Sequence, residues 1–478
     1  MEPRSDSQTL PVRITLADRA LSRVAGAPLI DGNCVRLLKD AQQNYPAWLD
    51  AIRAAKHHVY FETFIFHEDE VGERFADTLM SKAREGVSVR MIYDWLGCLG
   101  NTSWGLWRRM RKAGIEVRAY NPPRLDSPLA WLSRDHRKMF AIDNEVGFVA
   151  GLCVGQMWVG EPERDIAPWR DTGVELRGPA VAEIESAFRQ MWGTLGTPIP
   201  HEELIESGVP ASAGSMKVRI VPTLPATAGM IRTDQFIAAL ARSRLWLADA
   251  YYAGTTSYMQ ALRAAALDDV DVRLLVPNST DLPLLRPLSR TGYRPLLEAG
   301  VRVFEWNGPM MHAKTAVADG LWARVGSTNL NLASWFGNCE LDALIEDESF
   351  AREMETMYLD DLNNSTEVVL DARHRVHLPG ISRLPRQRGK QRGRARRAAA
   401  GAVRLSSTIG AALTSRRVLE PVEARVTTLG GFLLLVLVVL CSLFPKVLLY
   451  PLLTLLAWIG LGLLYRGYIL YRQKKRDR

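Results

Sequence analysis

Cysteine is scarce in this chain. The 478 residues include five cysteines, an odd number, and they are scattered without a C-x-x-C pair. This pattern argues against a disulfide framework and a zinc site, and it favours a reducing compartment. The first 28 residues also lack the apolar run of a cleaved signal peptide. We expect residues 1–28 to form a polar, turn-rich N-terminal segment.

Acidic residues are missing from much of the C-terminal region. Between Arg373 and Arg417 there are 13 Lys and Arg and no Asp or Glu, whereas residues 1–371 carry 39 basic and 49 acidic side chains, a net charge of −10. The overall charge of +8 therefore comes from the tail. A protein that binds nucleic acid regardless of sequence should carry its basic surface on the catalytic part, so the charge distribution argues against that class.

Charged residues are also absent from residues 426–445 and 447–465. About 20 apolar residues span a bilayer core, so the two stretches predict a two-helix transmembrane hairpin that turns at 444–446. Lysines and arginines before and after it outnumber Lys446 in the turn, which predicts that both ends are cytoplasmic. The prolines at 445 and 451 would equally suit a re-entrant hairpin that enters one leaflet.

The regions that flank the hairpin are basic. Residues 372–425 are too polar to fold alone and are expected to be a linker, while residues 466–478 form a basic tail. Close to a bilayer, such cations would attract anionic lipid.

The rest of the chain repeats itself. From about residue 35, apolar periodicity predicts helices and strands in alternation, and the second half follows the same order. Residues 86–90 resemble 270–273, and residues 113–117 resemble 299–303. The pattern predicts two tandem duplicated α/β domains, over 29–205 and 216–371, each with helices on both faces of its sheet. We expect the domains to pack about a pseudo-twofold, with the active site at their interface.

Each half contains the spacing H-x-K-x-x-x-x-D. It consists of His136, Lys138 and Asp143 in the first half, and of His312, Lys314 and Asp319 in the second. In a strand, residues i and i+2 share a face, so each His would point with its Lys. Either pair alone would more simply be a His and a Lys on a solvated strand. Two pairs instead predict phosphoryl transfer, in which one His attacks phosphorus and the other protonates the leaving oxygen, with no metal or other cofactor.

At these residues the chain resembles the phospholipase D superfamily, and more closely its bacterial cardiolipin synthase branch. In the second half the resemblance extends to Gly326, Ser327 and Asn329. In the first half residues 150–153 read Ala-Gly-Leu-Cys where the family has Gly-Gly/Ser-x-Asn, and Cys153 lacks the two-donor amide of Asn.

The resemblance also implies a carboxylate that orients the His after each motif, at Asp171 and at Glu340. Two more acids, Glu62 and Asp249, each interrupt an apolar strand, and the repeat matches the two strands to each other. They are either site carboxylates or buried acids with satisfied hydrogen bonds. A Pro-rich loop at 122–132 is either a lip that admits acyl chains or an ordinary packed loop.

The function that the resemblance implies is that of a phosphatidyltransferase in the bacterial inner (plasma) membrane, with a cytoplasmic catalytic part. Phosphatidylglycerol would donate its phosphatidyl group to the first-motif His, and a second phosphatidylglycerol would accept it, giving cardiolipin and glycerol. The expected partners are phospholipids and the anionic membrane, not nucleic acid. A hydrolytic phospholipase D that uses water is the alternative, and a nuclease or a non-catalytic lipid-binding scaffold is disfavoured.

Overall fold

A computed structural model of the chain describes residues 10–123, 133–200, 203, 210–281, 289–370 and 376–377, together with isolated helical positions between 450 and 464. Most of the Pro-rich loop, nearly all of the basic linker, most of the predicted hairpin and the basic tail lie outside the described residues. Within the described part of the chain, no helix is long and apolar enough to cross a membrane.

The first half contains seven strands and six helices among its described residues. In chain order they are α1 (Leu10–Ala25), β1 (Ile30–Lys39), α2 (Asp40–Ala54), β2 (His58–Thr63), α3 (Glu70–Arg84), β3 (Ser88–Asp94), α4 (Trp95–Cys98), α5 (Trp104–Lys112), β4 (Glu116–Tyr120), β5 (Lys138–Ile142), β6 (Val146–Ala150), β7 (Thr172–Arg177) and α6 (Val181–Thr194).

The second half repeats this series and adds two edge strands. Its elements are β8 (Met216–Thr223), α7 (Gly229–Leu240), β9 (Arg244–Ala248), α8 (Thr256–Leu267), β10 (Asp271–Pro277), α9 (Tyr293–Glu298), β11 (Arg302–Trp306), β12 (Thr315–Ala318), β13 (Trp322–Gly326), β14 (Glu340–Glu346), α10 (Glu348–Asn363), β15 (Ser365–Leu370) and β16 (Val376–His377).

The strand order confirms the duplication. The first half is ordered β1-β7-β6-β5-β2-β3-β4, and the second half has the matching order β8-β14-β13-β12-β9-β10-β11. In each half three strands run parallel, β2-β3-β4 and β9-β10-β11, and the others pair antiparallel. Strands β1 and β8 pair with each other, so the two sheets join into one of 16 strands.

Helices cover both faces of each sheet, as the alternating pattern predicts. On the outer faces, α2, α3 and α5 pack on the first sheet, and α1, α7, α8 and α9 pack on the second. The inner faces share one apolar core, to which α6 and α10 contribute. Val149 and Val325, at matching positions in the two halves, both belong to this core. The shared core fixes one half against the other.

The N-terminal segment differs from its prediction. Residues expected to be turn-rich form helix α1, whose Leu21 and Ala25 are buried in the outer core of the second half beside Met230 of α7. Residues four apart share a face of a helix, so this apolar pair gives α1 a side to bury. The prediction was wrong because the average polarity of residues 1–28 does not reveal this apolar spacing.

Candidate active site

The two His-Lys pairs lie at the starts of β5 and β12, on the edge where these antiparallel strands enter the sheets. Both histidines and both lysines are buried. The ammonium of Lys138 donates to the carbonyl of His136, and that of Lys314 donates to the carbonyl of His312. The backbone of each motif therefore holds its own lysine next to its histidine.

Each histidine is oriented by the other half of the chain. His136 Nδ1 donates to Glu340 Oε2 at 2.8 Å, and His312 Nδ1 donates to Asp171 Oδ2 at 2.6 Å. These bonds fix both tautomers and leave Nε2 of each ring as the nitrogen available for chemistry. The sequence predicted both carboxylates but not that they cross between halves.

Backbone hydrogen bonds repeat the crosswise arrangement. His136 N donates to Cys339 O at 2.8 Å, and His312 N donates to Arg170 O at 2.7 Å. The two contacts are related by the internal repeat, as expected for a pseudo-twofold. A site with two oriented histidines therefore exists only when the halves are packed together.

Electrostatics distinguish the groups around His312. Burial and the neighbouring Lys314 lower the pKa of His312 to about 4, and burial lowers the pKa of Lys314 to about 8. Burial raises the pKa of Asp171, but His312 and Lys314 outweigh it and the net shift is downward. At neutral pH the free site thus holds a neutral His312 beside an ionised carboxylate and a largely charged ammonium.

Both orienting carboxylates are held by further donors. Ser327 Oγ donates to Glu340 at 2.6 Å, and Trp158 Nε1 donates to Asp171 at 3.0 Å. Gly151 is needed here because a Cβ on it would lie 2.1 Å from Asp171 Oδ1. The glycine that remains in the altered first motif therefore makes room for Asp171, the carboxylate that orients His312.

Cys153 and Asn329 occupy equivalent positions. Ala150, the last residue of β6, pairs with Gly173, and Gly326, the last residue of β13, pairs with Asp342. Ala150 and Gly326 are therefore equivalent in the two halves, and so are Cys153 and Asn329, each three residues further along the chain. Both side chains are buried, and Asn329 Oδ1 has no hydrogen-bond partner among the described atoms. Burial raises the pKa of the Cys153 thiol, while the charges of Lys138 and Lys314 oppose the rise. The thiol thus lies within the field of both site lysines.

Asp143 and Asp319, predicted as catalytic, lie at the far ends of β5 and β12. A strand of four or five residues is about 13–17 Å long, so these carboxylates are remote from the histidines. Asp319 accepts hydrogen bonds from the backbone N–H groups of residues 242, 243 and 244 at 2.8–2.9 Å. Asp143 does the same for residues 56–58 at 2.6–2.8 Å. Their geometry corrects the expected role: they anchor the entrances of β2 and β9.

Glu62 and Asp249 do not match each other in the structure. Val59 pairs with Ile142 and Leu245 with Ala318, so the partner of Glu62 in the repeat is Ala248, one residue before Asp249. The two strands match as the repeat predicts, but the two acids lie one position apart in register.

The two acids also have different surroundings. Glu62 lies 3.8 Å from Arg137. The pKa of the neighbouring Asp135 is raised, mainly by burial and further by the negative charge of Glu62. Asp249 accepts from Leu330 N at 2.8 Å and Tyr251 N at 3.0 Å, and burial raises its pKa to about 7. Asp249 is thus hydrogen-bonded, whereas Glu62 belongs to a buried charge cluster behind His136.

Two arginines were missed by the sequence reading. Arg137, the middle residue of the first motif, is fully buried and donates to the carbonyls of Glu340 and Ala187, each at 3.1 Å. Arg170 is buried and binds Asp361 with two hydrogen bonds of 2.8 Å each. Arg137 directly precedes β5, and its place between His136 and Lys138 of the motif was the available signal.

Aromatic rings, also missed, surround the imidazoles. Trp158, Trp169 and Tyr251 have ring centroids 5.6–5.8 Å from that of His312, and Phe64 lies 4.9 Å from His136. Among the described residues, no group of three or more His, Cys, Asp or Glu is arranged to hold a metal ion.

Comparison with known families agrees with this geometry. The family described as "Cardiolipin synthase, PLD-like domain" matches residues 48–192 and 237–362, which include both motifs. The chain belongs to this family. It is a phosphatidyltransferase of the phospholipase D type, similar to cardiolipin synthases, and the resemblance expected from the paired motifs is confirmed.

Two curated relatives illustrate how far the similarity extends. The cardiolipin synthase of Alkalihalophilus pseudofirmus is 31% identical over 358 residues, which cover 73% of this chain and 70% of the relative. Cardiolipin synthase A of Pseudomonas fluorescens is 31% identical over 367 residues, covering 75% and 74%. A solved phosphatidylserine synthase from Haemophilus influenzae shares the fold, with a TM-score of 0.58 at 14% identity over 73% of this chain and 91% of that one.

Proposed function

We propose that this phosphatidyltransferase joins two molecules of phosphatidylglycerol into cardiolipin, with release of glycerol, through a phosphohistidine. The observation that carries the proposal is the crosswise pair His136–Glu340 and His312–Asp171, with a lysine beside each imidazole. Two oriented imidazoles suit a nucleophile and a proton carrier. Two ammoniums suit the charge that develops on the phosphoryl oxygens.

In the first step, His136 Nε2 attacks the phosphorus of phosphatidylglycerol, and the bond from phosphorus to the glycerol oxygen breaks. Protonated His312 gives its proton to that oxygen, and glycerol leaves. An anionic phosphodiester between two lysines would raise the pKa of His312 from its low value in the free site, since opposite charge favours the imidazolium.

In the second step, the proton and the phosphatidyl group move to the acceptor. His312 removes a proton from a glycerol hydroxyl of a second phosphatidylglycerol, whose oxygen attacks phosphorus and breaks the bond to His136. Glu340 stabilises the charged His136 during both steps. Water in place of this hydroxyl would give phosphatidic acid, the product of a hydrolytic phospholipase D.

The proposal includes a membrane location. We propose that the uncharged stretches at 426–445 and 447–465 form a hairpin in the bacterial inner membrane, with both ends and the catalytic part in the cytoplasm. The catalytic part has a net charge of −10 and would be repelled by an anionic bilayer. A hairpin anchor with a basic linker beside it would offset that repulsion.

The test is lipid mass spectrometry of a cardiolipin-deficient bacterial host that expresses the chain. We expect cardiolipin to appear, and to be absent with the His136→Ala/His312→Ala variant produced at the same level. Accumulation of phosphatidic acid without cardiolipin would assign hydrolysis instead. No change in any phospholipid would contradict both assignments.

A further inference from the structure

Helix α5 has one face that the catalytic mechanism does not use. Its buried face packs Leu106, Trp107 and Met110 into the outer core of the first half. Its opposite face borders a shallow groove of about 380 Å³. The side chains that line the groove are Trp104, Arg108, Arg111 and Lys112. All four are exposed, and Trp104 is 70% exposed, which is unusual for so large an apolar side chain.

The cations of this groove have no acidic partners within the described part of the chain. Arg108 and Lys112 form no ion pair with any residue that the structure describes. Arg111 donates to the carbonyl of Val117 at 3.2 Å, and its charge is not neutralised there. The ion pair on this helix joins Arg109 to Glu73 and lies beside the groove. Three uncompensated cations thus stand together on the catalytic part, residues 1–371, whose net charge is −10.

The helix begins at the edge of the sheet where the active site lies. Strands β2, β3 and β4 are parallel, so their carboxyl ends share one edge. At that edge Asp94, the last residue of β3, accepts a hydrogen bond from Asp135 N at 2.9 Å, next to His136. Ser103, which caps α5, is held at the same edge by Glu68 at 2.6 Å. Trp104 therefore extends from the rim of the active-site edge.

We propose that this face of α5 is a docking site for the bilayer, in which Arg108, Arg111 and Lys112 bind the phosphates of anionic phospholipids and Trp104 enters the interface. Tryptophan is favoured at the level of the headgroups, where its ring is apolar and its N–H is hydrated. Each cation near an anionic surface strengthens binding about fivefold. The occupant is a lipid surface, because phosphate complements the three cations and a bilayer complements the exposed indole.

The consequence is orientation of the active site. A hairpin anchor alone, joined through a basic linker of about 50 residues, would leave the catalytic part free to rotate. Contact through α5 would turn the edge that carries His136 towards the lipids that it uses. This consequence rests on the proposed function, whereas the lipid binding itself does not.

The first test compares charge variants of the full chain in proteoliposomes. The groove variant is Arg108→Gln/Arg111→Gln/Lys112→Gln. Its matched control, Lys56→Gln/Arg84→Gln/Arg242→Gln, removes three exposed cations near the opposite edge of the sheets. We expect transfer from phosphatidylglycerol to fall about tenfold or more in bilayers for the groove variant, and less than about twofold in detergent micelles, since loss of a single cation is worth about fivefold at a surface. Equal rates for the two variants in bilayers would overturn the proposal.

A second measurement does not depend on activity. An environment-sensitive fluorophore is attached to the Trp104→Cys variant of the full chain in a Cys34→Ser/Cys441→Ser background. We expect its emission to shift to the blue in phosphatidylserine or phosphatidylglycerol vesicles and to stay unshifted in phosphatidylcholine vesicles. An unshifted probe, or an equal shift in all three, would refute recognition of anionic lipid. A shift without any phosphatidyl transfer would instead refute the proposed function and leave the docking site standing.

Discussion

The crosswise orientation of the histidines makes an unusual prediction about where mutations act. Asp171→Asn removes the carboxylate that orients His312, although Asp171 lies in the half that contains His136. Glu340→Gln likewise removes the carboxylate of His136 from the opposite half. Each substitution replaces a charge-assisted hydrogen bond of 2.6 or 2.8 Å with a neutral amide that favours the wrong tautomer. Since positioned acid–base catalysis contributes about 10²–10⁴-fold, we expect kcat to fall by this factor with little change in KM.

The two substitutions should differ in the intermediate that they trap. If His136 is the nucleophile, Asp171→Asn should behave like His312→Ala. The phosphohistidine should form more slowly, because His312 is the acid of the first step, and should persist once formed, because its breakdown needs His312 as a base. Glu340→Gln should behave like His136→Ala and give little or no adduct. The assay is rapid quenching with radiolabelled phosphatidylglycerol, followed by peptide mass spectrometry.

The control is Glu163→Gln, an exposed substitution eight residues before Asp171, which should keep normal turnover. An adduct that accumulates in Glu340→Gln but not in Asp171→Asn would show His312 to be the nucleophile. If Asp171→Asn affected His136 alone, the crosswise reasoning itself would be refuted.

Four further predictions concern charge, positioning, stability and metals. Burial lowers the pKa of Lys314 to about 8, and its ammonium is charged only below that pKa, so kcat/KM in micelles should fall as pH rises through about 8. Lys314→Arg should move this alkaline limb of the pH profile to higher pH, and a limb that does not move would exclude Lys314 as its source. Arg137→Ala should lower kcat more than it raises KM and should shift the pH profile, because Arg137 positions the backbone of Glu340. An equal loss of activity at all pH values with a reduced Tm would indicate a purely structural role. Asp319→Ala should cost about 2–4 kcal/mol of stability by removing three backbone hydrogen bonds, with normal turnover per folded molecule. A loss of kcat at unchanged Tm would instead indicate that Asp319 acts in catalysis. Activity should survive EDTA, because two lysines and two imidazoles supply the positive field at phosphorus; restoration by one particular divalent ion after loss would contradict this.

Local patterns explain what could be predicted from the sequence. The spacing of His312 and Lys314 places the two side chains together just before β12, where the ammonium donates to the carbonyl of His312, and the order of helices and strands reflects apolar periodicity. Both are properties of short segments. The duplicated fold followed because the same segments occur twice in the chain.

Long-range geometry explains what could not be predicted. The bond from Asp171 to His312 joins residues 141 positions apart, and the repeat alone does not reveal which half supplies a carboxylate to which histidine. The Asp of each motif was placed in the site by the family pattern, yet a strand carries it to the opposite edge. Arg137 shows the same limit, because its partners Glu340 and Ala187 are known only once the halves are packed.

The stereochemical course at phosphorus tests the central claim most directly. The account requires two in-line displacements, one by a histidine and one by the acceptor hydroxyl, and each inverts the configuration. Phosphatidylglycerol made chiral at phosphorus with oxygen isotopes should therefore give cardiolipin with retained configuration, as read by phosphorus NMR. Inverted configuration would mean that the acceptor attacks the substrate directly, and it would contradict the phosphohistidine.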